Sequence, residues 1–142
     1  LSTGAAQGDG AVHAIDDLMG ARSHIVLANQ SVSAAAIREL GFTQYYGNLF
    51  YYPLPTGGEL YQYFLKMNET PTRDMAVAAM DFTNTLCEQT SCIQEPVNTL
   101  FFVVNDYWWD APRIVETAKN TADDWFSIAG PKVHVFRYDR SQ

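Results

Sequence analysis

Apolar residues first recur at helical spacing at Val12, Ile15, Leu18 and Met19, with Asp16 and Asp17 on the opposite face, so a helix is expected to open near Asp9. From Ser23 to Ala28 the run His-Ile-Val-Leu-Ala is too short for periodicity to separate a buried strand from a helix. A helical continuation is the expectation there. A second helix is expected from Ser31 or Ser33 to Leu40, where Gly41 suits the left-handed position and Phe42 folds back on Ile37.

Two β-rich runs follow, Asn48 to Leu54 and Glu59 to Met67, around Pro55-Thr-Gly-Gly, whose glycines supply the positive φ of hairpin turns. In the second run Tyr61, Tyr63, Leu65 and Met67 alternate with Leu60, Gln62, Phe64 and Lys66, although Leu60, Phe64 and Leu65 also suit a helix. Thr70-Pro71 reads as a cap followed by proline in the first helical position, and Met75, Ala79, Phe82 and Leu86 form the apolar stripe of a helix ending near Cys87.

Val97 to Asn105 is β-branched, aromatic, uncharged and apolar on both faces, as a central strand requires. Asp110 is placed to cap the next helix, with Trp109 packing on Ile114 as a hydrophobic staple. Ile114, Ala118, Ala122, Trp125 and Phe126 would be its buried face, and Gly130-Pro131 its stop. Lys132 to Tyr138 alternates as a last strand, and a right-handed crossover is expected if this strand and Val97 to Asn105 are parallel neighbours. The predicted class is α+β: N-terminal helices, a β-hairpin, a helix, then a strand-helix-strand unit, with about four strands in one mixed sheet covered by helices.

The 142 residues, 47% hydrophobic and 13% aromatic, suit a single domain over 9–142, preceded by a flexible start or anchor junction at 1–8. A formal charge of −7 repels phosphate backbones and anionic lipid, so nucleic acid is not an expected partner. The longest uncharged stretch, Leu40 to Gly58, is interrupted by Gly47, Pro53 and Pro55, so no membrane span is expected. The chain opens at Leu1 without methionine and stays small and polar to Gly10, which suggests a trimmed product whose signal or anchor preceded Leu1; an arbitrary boundary is the alternative. Asn29-Gln-Ser and Asn68-Glu-Thr match glycosylation acceptors, a pattern frequent by chance.

Cys87-Glu-Gln-Thr-Ser-Cys92 has too wide a spacing for a Cys-x-x-Cys redox motif and suits a local disulfide that pins a helix end to the following turn. A bridge implies an oxidising compartment, whereas two buried thiols would fit a reducing one. The histidines, His13, His24 and His134, lack the spacing that completes a zinc site with a cysteine pair, so neither metal nor cofactor is expected.

The segment Asn105-Asp-Tyr-Trp-Trp-Asp110 leaves the carboxyl end of the central strand and enters a helix, where open α/β sheets hold ligands. Asp106 and Asp110 with His134 on the neighbouring strand are the acid–base candidates, and Trp108 and Trp109 are candidate binding rings. The bland reading makes Asp110 a cap, His134 a core residue and the tryptophans packing. Tyr45, Tyr46, Tyr51, Tyr52, Tyr61 and Tyr63 would line two hairpin strands, a recognition surface or an internal packing layer.

The first functional expectation is a non-enzymatic extracytoplasmic domain, periplasmic or secreted, that binds a protein partner or a small amphipathic ligand through its tyrosine-rich face, within a secretion, pilus or sensory assembly. The alternatives are a small secreted acid–base hydrolase using Asp106, Asp110 and His134, and an acidic inhibitor or immunity protein that masks a basic target.

Overall fold

The computed structural model describes residues 3–20, 22–29, 59–90, 96–128 and 132–140. Among them are helices α1 (Thr3–Met19), α2 (Glu59–Glu69), α3 (Arg73–Thr90) and α4 (Ala111–Thr121), and strands β1 (Ile25–Leu27), β2 (Thr99–Asn105), β3 (Asp124–Ile128) and β4 (Val133–Asp139). The strands form one mixed sheet in the order β1-β2-β4-β3. β1 runs parallel to β2, with Ile25 opposite Leu100, while β4 is antiparallel to both β2 and β3. The expected α+β class with a mixed four-stranded sheet is what the described residues form.

β2 is central, as its composition predicts, and its alternation feeds two cores. Leu100, Phe102 and Val104 face one layer with Leu60, Phe64, Met67, Met80, Ile114 and Ala118 from α2, α3 and α4. Phe101 and Val103 face the other with Val12, Ile15 and Met19 of α1. α1 begins at Thr3, ahead of Asp9, and Gly20 stops it at φ +55°, its N–H donating to the Asp16 carbonyl at 2.7 Å. Leu18, expected on the apolar face, is half exposed.

Four expectations are corrected. The run at 25–27 is a strand, buried throughout beside β2, because a β-branched pair flanked by a parallel neighbour gains the ladder that a lone sequence cannot reveal. The run at 59–67 is helix α2: Leu60, Phe64 and Met67 share one buried face at helical spacing, and that packing wins over the alternation of the tyrosines. The expected hairpin therefore lacks its second strand, and its first run, 48–54, lies outside the described residues, as does the helix expected over 31–40. α4 ends at Thr121, not Gly130. Ala122 turns extended (ψ 154°), Asp123 N–H donates to the Arg137 carbonyl at 2.9 Å, and Trp125 and Phe126 belong to edge strand β3. Finally, β2 and β4 are antiparallel neighbours, so no parallel crossover joins them.

Caps differ in detail. Thr72, rather than Thr70, caps α3, its hydroxyl accepting the Met75 N–H at 3.1 Å. α3 continues past Cys87 and ends at Thr90, between the two cysteines; the Cys87 side chain and Cys92 lie outside the described residues. Asn84 receives the chain as it enters the sheet, accepting from Val97 N–H at 2.7 Å and donating to the Val97 carbonyl at 3.1 Å.

Candidate functional site

β1 stops at Leu27 while β2 continues to Asn105, so beyond Phe102 the β1 side of β2 has no paired strand among the described residues. A cavity of about 570 Å³ opens at this step. Helix α2 supplies Tyr61, Phe64, Leu65 and Asn68, and β2 contributes Val103, Val104 and Asn105. Asn29, leaving β1, and Tyr107 and Trp108, leaving β2, complete the described wall. It lies at the carboxyl ends of the parallel strands β1 and β2, beside the segment Asn105–Asp110 singled out from the sequence.

Hydrogen bonds tie the wall together. Asn29 Nδ2 donates to the Tyr107 hydroxyl at 2.6 Å, which joins the two strand exits. Arg113, in the first turn of α4, donates to the Asn68 and Glu69 carbonyls at 2.8 and 2.7 Å and thereby caps the end of α2. Its Nε bonds Asp110 at 2.8 Å. Asp110 thus occupies the helix-capping position without capping the helix through its side chain. Asn105 is 3% exposed, and its amide nitrogen and oxygen have no hydrogen-bond partner among the described residues.

Among the sequence candidates, Tyr61 and Trp108 line the cavity. Tyr63 turns to Phe82, with ring centres 5.8 Å apart, and carries Lys66 Nζ over its ring at 5.2 Å. Trp109 is 80% exposed and does not staple Ile114. Tyr45, Tyr46, Tyr51 and Tyr52 lie outside the described residues.

Asp106 and His134 do meet, Nε2 lying 3.4 Å from Oδ1, whereas Asp110 is engaged with Arg113. His134 is buried, stacks on Phe136, and its Nδ1 lies 2.8 Å from the Ser127 hydroxyl across the β3–β4 ladder. With Nε2 protonated toward the carboxylate, Nδ1 accepts the serine hydrogen. Ser127 was not legible as a partner, because β3 was expected to be helix. His24 is also buried; burial lowers its pKa despite the Arg22 carbonyl 2.8 Å from Nδ1.

Among the described residues, no group of three or more His, Cys, Asp or Glu could hold a metal ion, and no helix is long and apolar enough to cross a membrane. Compared with family models, curated proteins and solved structures, the chain matches none.

Proposed function

We propose that the chain is a binding domain that takes a small amphipathic ligand into the cavity beside α2 and the end of β2. The carrying observation is the cavity itself. At about 570 Å³ it falls within the size of small-molecule sites, and its described wall combines Tyr61, Phe64, Leu65 and Trp108 with the amide-bearing Asn29 and Asn68. Such a wall desolvates a ring while leaving polar groups to orient it. Of the binding residues expected from the sequence, Tyr61 and Trp108 line this cavity, and Tyr107 joins them. An extracytoplasmic setting, periplasmic or secreted, belongs to the same proposal and is supported by the spacing of Cys87 and Cys92.

Titration with 4-methylphenol, followed by amide resonances, tests this reading. Shifts concentrated at Val103, Val104, Tyr107 and Trp108 are expected, with weak affinity for so small a probe. Absence of shifts, or shifts centred elsewhere, would remove the cavity as the binding site.

A further inference from the structure

We infer that the cavity selects uncharged ring compounds and rejects ions of either sign, an inference that rests on the cavity being a ligand site. The described wall contains no Asp, Glu, Lys, Arg or His. Four charged groups near it among the described residues are engaged elsewhere. The three bonding nitrogens of Arg113 go to Asp110 and to the carbonyls of Asn68 and Glu69. Asp110 answers Arg113, Asp106 faces His134, and Lys66 lies over the outer ring of Tyr63. Against the described wall an ionic ligand would therefore lose its hydration at Phe64, Leu65 and Val104 without gaining a counter-charge there, a cost that hydrogen bonds to neutral amides do not repay. A neutral ring with one hydroxyl or amide group suffers no such loss: the aromatic wall covers its faces, while the Asn68 amide and the Tyr61 hydroxyl offer both donors and acceptors. The formal charge of −7 on the whole chain adds a further bias against anions.

Three probes of nearly equal shape separate the cases at pH 7: benzyl alcohol, benzoate and benzylammonium, each titrated against the intact chain and followed by the amide resonances of Val103, Val104, Tyr107 and Trp108. Benzyl alcohol is expected to bind at least about tenfold more tightly than either ion, the ratio of roughly 1.4 kcal/mol in desolvation. Benzoate or benzylammonium binding within tenfold of the alcohol, or more tightly, would overturn the inference while leaving the cavity as a site. Failure of all three, together with 4-methylphenol, would overturn both.

Discussion

Asp123 receives both terminal nitrogens of Arg73, at 2.5 and 2.7 Å, in a bidentate bridge that ties the start of α3 to the link between α4 and β3. The same carboxylate accepts the Asp139 N–H at 2.6 Å, and Arg73 donates to the Asp139 carbonyl at 2.8 Å, so three chain segments close on one buried acid. The Arg73 hydrogen bonds hold the Asp123 carboxyl below its ordinary pKa, against the opposing effect of burial. A depressed carboxylate pKa stabilises the fold above the unfolded value, near pH 4, and that contribution is lost as pH falls through the folded value. Asp123→Asn should cost about 1.5–3 kcal/mol at pH 7 in urea unfolding, with the difference from the parent chain shrinking below about pH 4. A difference that persists undiminished at pH 2 would mean that the bridge does not carry the acid sensitivity.

Phe101 and Phe102 are both fully buried on opposite faces of β2, and Phe102 meets Phe64 and Phe136 with ring centres 6.2 and 6.4 Å apart. Truncation of either to alanine should destabilise the fold by about 3–5 kcal/mol, because each leaves a cavity in a different core. A loss below about 1 kcal/mol at both positions would contradict the central placement of the strand.

β2 was legible because its apolar character is continuous and needs no partner to be recognised, and β4 because a short β-branched and aromatic run follows the Gly130-Pro131 break. α2 was not. Tyr61, Tyr63, Leu65 and Met67 satisfy period two while Leu60, Phe64 and Met67 satisfy the helical period, and only contact with β2 and α3 decides between them. The end of α4 was hidden for a similar reason: Ala122 continues the apolar spacing of Ile114 and Ala118, but Asp123 is claimed by Arg73, 50 residues away. The segment carrying Trp108 stood out in the sequence as a candidate loop, whereas the cavity beside it depends on β1 ending before β2 does, a matter of register that no local pattern encodes.

Ser127, His134 and Asp106 join β3, β4 and the exit of β2 through contacts of 2.8 and 3.4 Å. As structural contacts they would help pin the hairpin edge to the central strand. Ser127→Ala should therefore cost about 1 kcal/mol, the worth of one hydrogen bond, and a fluorophosphonate probe should leave Ser127 unlabelled. A covalent adduct at Ser127 that disappears in His134→Gln would instead identify an activated nucleophile.

Cys87 and Cys92 straddle the end of α3 at Thr90, where a turn can bring two Cα atoms within the roughly 4.4–6.8 Å that a bridge spans. The natively purified chain should be about 2 Da lighter than its reduced form, as expected for a Cys87–Cys92 disulfide, and should resist alkylation until reduced. Two thiols that alkylate without reduction would remove the bridge and, with it, the main support for an extracytoplasmic setting.

Asn105 ends the central strand at the cavity wall with both amide atoms buried and lacking a partner among the described residues. An unsatisfied buried polar group costs about 1–3 kcal/mol, so the nearly isosteric Asn105→Leu should raise stability by about 1 kcal/mol or more. Most core substitutions destabilise, which makes the sign of the change diagnostic. Because both amide atoms are shielded from solvent, a ligand in the cavity meets this residue only through its other atoms, and 4-methylphenol affinity should be nearly unchanged. Destabilisation by Asn105→Leu would show that the amide has a bonding partner in the folded chain, and loss of 4-methylphenol binding in a stabilised variant would show that the amide turns into the cavity when a ligand enters.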